Sequence, residues 1–142
     1  MTTPAKPRSH PTLEGQLLRL GARIRDHVAA TSAELDLTPQ QAFALRALDK
    51  PASMQTLAKV MRCDASNVTG IVDRLQERGY IDRQVDPQDR RVRRLAVTDT
   101  GRAARKRLEA RLTERFPGTA ALSAMERERL EAALTRLLET MA

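Results

Sequence analysis

Residues 85–95 limit what this chain can fold into more than any other stretch. The run Asp86-Pro87-Gln88-Asp89-Arg90-Arg91 is a polar turn between two short strand-like runs, Ile81–Val85 and 92–97. Proline fixes its own φ and pushes the preceding residue out of the α region, so Asp86-Pro87 favours a turn. Arginine crowds both the tip and the return strand, at 90, 91, 93 and 94. The chain therefore holds a basic β-hairpin, and it comes just after a segment with helical periodicity.

The charge is concentrated around that hairpin. Of 142 residues carrying a formal net charge of +7, the stretch 83–107 has nine Lys/Arg against three Asp, or +6 of the total. A compact positive field suits a polyanion such as nucleic acid, or an acidic membrane surface. Aromatic residues make up 2%, with no Trp and only Tyr80, Phe43 and Phe116, so the core has to be aliphatic. One cysteine, Cys63, excludes an internal disulfide, and it reads as a small hydrophobe packed in a turn. No apolar run approaches a membrane span or a signal segment, so an intracellular, cytoplasmic protein is expected.

The remaining pattern is helical. Residues 1–11 contain three prolines and predict a loose tail. Leu13, Leu17, Leu20, Ile24 and Val28 form an i, i+4, i+7 stripe for a first helix. Thr38-Pro39-Gln40-Gln41 combines an N-cap, a first-turn proline and a capping glutamine, opening a second helix through Phe43, Leu45 and Leu48. Two short helices follow, over Met54–Met61 and 65–78, with Asp64 as N-cap of the second and Gly79 ending it. After the hairpin, Thr98-Asp99-Thr100-Gly101 starts a long basic helix, stopped by Pro117-Gly118. Ser123–Glu126 is a further capping box, and its helix carries Leu130, Leu134, Leu137, Leu138 and Met141. The apolar stripes of the terminal helices have no evident partner within one copy, which makes a homodimer the natural way to bury them.

The helix at 65–78 turns Val68, Ile71, Val72 and Leu75 to one side, leaving Ser66, Asn67, Thr69 and Gly70 outward, with Arg74 a turn on. Short polar side chains on a helix whose other face packs on a scaffold suit the major groove, where Asn pairs bidentately with adenine. In the hairpin, Asp89 among four arginines is expected to orient Arg91 by a charge-assisted hydrogen bond. Arg91 then enters a narrow minor groove, and Arg90, Arg93 and Arg94 meet phosphates. Helix-turn-helix followed by basic hairpin is the outline of a winged helix. The expected class is mainly α with a small β-hairpin wing (α+β).

The chain resembles the MarR family of bacterial transcription regulators over about residues 12–141. The resemblance rests on Leu57-Ala58, Asp64-Ala65-Ser66-Asn67-Val68-Thr69, Val72-Asp73-Arg74-Leu75, Gly79-Tyr80-Ile81 and Arg83. Asp86-Pro87-Gln88-Asp89-Arg90-Arg91, Leu95 and Val97-Thr98-Asp99-Thr100-Gly101 complete the ordered set. It implies one domain over residues 12–142, with a winged helix-turn-helix at about 38–100 and dimerisation helices at about 12–35 and 101–142. It further implies a homodimer on a pseudo-palindromic operator in double-stranded DNA, its recognition helices about one DNA turn apart. Ser66, Asn67, Thr69 and Arg74 match the DNA-facing side of the recognition helix, and Asp89 and Arg91 match the wing-tip pair. Gly70 departs from the family pattern, where a larger and often basic residue is frequent. A glycine inside a helix costs roughly 1 kcal/mol against alanine, so it implies either close approach to the DNA backbone or weaker base readout.

Many relatives release DNA when a small phenolic or anionic molecule binds beside the dimer helices. In this chain that region would include Arg23, His27, Phe43 and Arg46. No cofactor or metal site is expected, since His10, His27 and Cys63 are too few and too scattered. With no nucleophile–base pair and no phosphate-cradling glycine loop, catalysis is not expected either. The sequence thus predicts a dimeric DNA-binding regulator, a repressor before an activator. The alternative is a nonspecific architectural or nucleoid-associated protein using the same basic surface.

Overall fold

The computed structural model describes residues 11–114, 116 and 118–141, so the expected tail at 1–11 lies outside it except for Pro11. By backbone contacts the chain divides into one unit of residues 27–116 and another of residues 1–26 with 117–142. The first helix, α1 (Leu13–Ala33), begins in the second unit and ends in the first.

Within 27–116 the elements follow from local chemistry. Helix α2 (Pro39–Ala47) starts at the expected capping box: Gln41 N–H donates to Thr38 Oγ1 at 3.1 Å and Thr38 N–H to Gln41 Oε1 at 3.0 Å. Ala44, Leu45 and Leu48 are buried, being spaced along one helical face. Phe43, counted among the apolar positions of this helix, falls between those rows and is 45% exposed. Helix α3 (Met54–Met61) is capped by Ser53, whose Oγ accepts the Thr56 N–H, and it buries Leu57 while Val60 faces outward. It closes on Arg62 in the left-handed region, with φ 51° and ψ 42°.

Helix α4 (Ala65–Glu77) buries Val68, Val72 and Leu75 completely. Asp64 stands at its N-cap with extended backbone, yet its side chain makes no capping hydrogen bond. Beyond the helix, Gly79 takes φ +69° while its N–H and that of Tyr80 return to the carbonyls of Gln76 and Leu75. That reversal is the helix stop the glycine predicts.

The hairpin belongs to a three-stranded antiparallel sheet. Strands β1 (Ala52–Ser53), β2 (Ile81–Val85) and β3 (Arg93–Val97) lie in the order β1-β3-β2, with Ile81 opposite Val97 and Ala52 opposite Leu95. Two residues are too few for a periodicity, which is why β1 went unread in the sequence. Val92, expected in the return strand, closes the turn instead. Its N–H donates to Asp89 O and its carbonyl accepts the Asp86 N–H, each at 3.0 Å.

Helix α5 (Asp99–Glu114) starts where Thr98 Oγ1 accepts the Gly101 N–H at 3.0 Å, and it buries Ala104 and Leu108. A Cβ on Gly101 would lie 2.1 Å from the Tyr80 carbonyl oxygen, so only a glycine lets α5 start against that backbone. Leu45, Leu57, Val68, Leu75, Ile81, Leu95 and Leu108 meet in one aliphatic core.

In the other unit, Ser123 and Glu126 form the expected capping box at the start of α6 (Ala124–Met141). The Ser123 hydroxyl and backbone N–H hold the Glu126 carboxyl below its ordinary pKa. Helix α6 buries none of its described residues, and Leu130, Leu137, Leu138 and Met141 are exposed, as are Leu13, Leu17, Leu18 and Leu20 of α1.

Candidate nucleic-acid interface

With Val68, Val72 and Leu75 fixed in the core, the opposite face of α4 has to point outward. Ser66, Asn67, Thr69, Gly70 and Arg74 are all exposed. The Thr69 hydroxyl donates to Ala65 O at 2.9 Å, which leaves its oxygen lone pairs and methyl for an outside partner. Arg74 lies 3.6 Å from Glu77 with both side chains largely in solvent, a pairing of little energetic weight. A Cβ added at Gly70 meets no atom within 4 Å, so no packing demand of this chain requires the glycine.

Asp73, one residue before Arg74, is half-buried and accepts from Arg83 Nη2 at 2.5 Å. This ion pair ties the outward-facing helix to β2. Sequence spacing cannot show it, because it depends on how a helix crosses a strand. Arg78 makes a second tie. Its guanidinium donates to the Asp36 and Leu35 carbonyls and to the Tyr80 hydroxyl, and it lies 4.9 Å from the Tyr80 ring centroid. The C-terminal end of α4 is thereby fastened to the chain leaving α1.

The wing departs from expectation in two respects. Asp89 Oδ1 accepts the backbone N–H of Arg91 at 2.9 Å, so Asp89 shapes the tip through the main chain and leaves the guanidinium unheld. An aspartate bonding the N–H two residues on is an ordinary turn device, and it competes with a longer reach to the side chain. Secondly, Arg94 already has a partner within the chain: its Nε donates to Asp86 Oδ2. Asp86, read from sequence only as a turn former with Pro87, is 5% exposed. Its Oδ1 also accepts the Gln88 N–H at 2.8 Å. That amide first, and then Arg94, hold the Asp86 carboxyl below its ordinary pKa, against the opposing effect of burial. Arg90, Arg91 and Arg93 are exposed, and their guanidinium groups have no partner among the described residues. What the molecule offers to a ligand is thus a polar helix face and, on the wing, three arginines free among the described residues. Two ion pairs fasten these elements: Asp73–Arg83 joins α4 to β2, and Asp86–Arg94 joins the turn to β3.

Of the four residues expected near an effector, Arg23, Phe43 and Arg46 are exposed. His27 is half-buried, with Nε2 3.1 Å from Leu112 O and its ring edge-on to Phe116 at 5.7 Å. An open groove of about 430 Å³ in the 27–116 unit is lined by Pro51, Gln84, Thr98, Arg102 and Arg105 among others, and by none of His27, Phe43 and Arg46. Cys63 is half-buried against the core, its thiol directed to Met61 O at 3.3 Å.

Comparison with known proteins agrees with this arrangement. Residues 37–92 match the MarR family model. The HTH-type transcriptional repressor MdtR of Bacillus subtilis (strain 168) is 33% identical over 87 residues, 60% of this chain and 56% of that protein. The chain thus spans about half the length of this curated relative. Among solved structures, a probable transcriptional regulator from Pseudomonas aeruginosa is 31% identical with a TM-score of 0.69, over 89% of this chain and 96% of that one. The transcriptional repressor CouR, bound to a 23-mer DNA duplex, is 25% identical with a TM-score of 0.75, over 99% of this chain and all of that one.

Proposed function

The chain belongs to the MarR family of DNA-binding transcription regulators, which are not enzymes, and from that premise we propose that it represses transcription by binding a pseudo-palindromic operator as a homodimer. The observation that carries the proposal is that α4, tied to β2 by the Asp73–Arg83 pair, and the wing each present exposed polar or basic side chains. Ser66, Asn67, Thr69 and Arg74 are exposed on the helix, and Arg90, Arg91 and Arg93 are exposed on the wing with guanidinium groups unpaired among the described residues. In this reading α4 enters the major groove, with Asn67 on a base edge, while Arg91 enters the adjacent minor groove. Arg90 and Arg93 contact phosphates, and Asp89 shapes the turn that presents them. Gly70 lets the helix approach the DNA closely. The repressor CouR, seen on a DNA duplex with a similar fold, supports the assignment.

The exposed leucines of α1 and α6 support the homodimer, because an apolar surface of this kind is stabilised by a second copy. Release by a small aromatic or anionic molecule near Arg23, His27, Phe43 and Arg46 belongs to the same proposal. No helix among the described residues is long and apolar enough to cross a membrane, and the reading places the protein in the cytoplasm with its DNA.

Footprinting on the DNA upstream of the protein's own gene, followed by competition with random duplex, tests the proposal. A protected inverted repeat that outcompetes random DNA at physiological salt is the expected result. Equal affinity for both would favour an architectural role. A screen for small molecules that release the protected fragment then tests the effector.

A further inference from the structure

Four described residues have positive φ: Asp36, Arg62, Gly79 and Gly118. Two are glycines, and aspartate is among the residue types that enter this region most readily. Arg62 is the exception. It has φ 51° and ψ 42°, a conformation an L-arginine adopts only at a cost. The backbone demands it, since the N–H groups of Arg62 and Cys63 turn back onto the Lys59 and Ala58 carbonyls to close α3. A glycine would meet that demand without strain.

Among the described residues nothing accounts for the arginine. Its side chain is exposed and makes no hydrogen bond or ion pair among the described residues. Arg78, Arg83 and Arg94 are each held by an intramolecular partner, so Arg62 differs from them. Its place is informative. Arg62 lies in the turn of the helix-turn-helix, two residues before Asp64 at the N-cap of α4, at the end of that helix which carries Ser66 and Asn67. Lys59, in the last turn of α3, is also exposed. The nearby Asp64 carboxylate, which makes no capping bond, would repel a phosphate at this end of the helix, and a cation here offsets it.

We propose that Arg62 is a DNA phosphate-binding residue, retained in a strained backbone position because its guanidinium meets the DNA backbone at the start of the recognition helix. The inference rests on the DNA-binding reading above and adds a contact that neither α4 nor the wing supplies. Phosphate contacts position a protein without reading sequence, so a short random duplex suffices as probe.

The test compares the parent protein with Arg62→Gly and Arg62→Lys, by thermal melting and by fluorescence anisotropy on that duplex over a series of salt concentrations. Arg62→Gly is expected to melt about 3 °C higher, because strain is relieved. It is also expected to bind about tenfold more weakly, with the slope of log affinity against log salt reduced by about 1. Arg62→Lys should keep the parent's slope. Stability and affinity moving in opposite directions separates a ligand contact from a structural role, which would move them together. An Arg62→Gly protein that binds with the parent's affinity and slope overturns the inference alone. A parent that binds no duplex even at low salt overturns the DNA-binding reading and this inference with it.

Discussion

Asp86 and Arg94 form an ion pair across the base of the wing, with the guanidinium Nε donating to a carboxylate that is 5% exposed. The same carboxylate receives the Gln88 N–H, and the Asp86 N–H donates to Val92 O. One side chain therefore holds both limbs of the turn whose tip carries Arg90 and Arg91. The turn is thus tied at its base by a buried carboxylate, while the Arg94 side chain stays partly exposed.

Replacing Asp86 by asparagine should therefore weaken DNA binding although Asp86 faces no DNA. Asparagine can still accept the Gln88 N–H but cannot pair with the guanidinium. The measured affinity should fall at least as far as it does for Arg94→Gln. Equal binding by Asp86→Asn and the parent would remove the wing-base argument.

The Asp86 carboxyl also has a pH signature. Its folded-state pKa lies below its ordinary value of 3.8, so the unfolded chain takes up the proton first as pH falls. The stabilisation is then complete well above that value and is lost as pH drops through the folded pKa. Urea midpoints of the parent and of Asp86→Asn should differ by a constant amount from about pH 6 to 8 and converge below about pH 4. A gap that widens on acidification would contradict the sign.

The two wing-tip residues should respond differently to conservative change. Arg91→Ala is expected to lower DNA affinity by about tenfold or more, in line with an arginine lost from a groove. Asp89→Ala should follow it, because the Arg91 N–H loses its acceptor. Asp89→Asn should retain most of the affinity, since its amide oxygen can accept the same N–H. If Asp89→Asn binds as weakly as Asp89→Ala, the orientation depends on charge and not on the turn.

Two helical glycines should give opposite results with alanine. At Gly101 the added Cβ would lie 2.1 Å from the Tyr80 carbonyl oxygen and 2.8 Å from Val97 Cγ1. Neither atom can yield cheaply, so Gly101→Ala is expected to cost about 1–3 kcal/mol of stability or more. At Gly70 no atom lies within 4 Å of the added Cβ. Gly70→Ala should stabilise the fold by about 0.5–1 kcal/mol through higher helix propensity. Urea unfolding checks both, and anisotropy on Gly70→Ala shows whether the missing side chain matters to DNA.

Much of the fold was legible because it is written in short-range chemistry. Thr38 with Gln41, Ser123 with Glu126, and Gly79 after Leu75 mark helix ends through contacts a few residues long. The buried face of α4 followed from the spacing of Val68, Val72 and Leu75 alone. The exposed face opposite was then settled by geometry, which is how Ser66, Asn67 and Thr69 could be named in advance. Hydrophobic periodicity and capping are local quantities, and a sequence displays them directly.

Tertiary structure decided which charges are free. By composition Arg83, Arg90, Arg91, Arg93 and Arg94 are alike, yet Arg83 is taken by Asp73 and Arg94 by Asp86. That choice depends on how a helix crosses a strand and on how deeply one carboxylate is buried, and no spacing rule records either. Gly101 against Tyr80, the two-residue strand beside Leu95, and the left-handed Arg62 belong to the same class. Each is set by where two distant pieces of backbone meet, or by how one helix must end so that the next can begin. The sequence by itself determined the helices, the wing and the sign of the field. Packing determined which arginines are left to act.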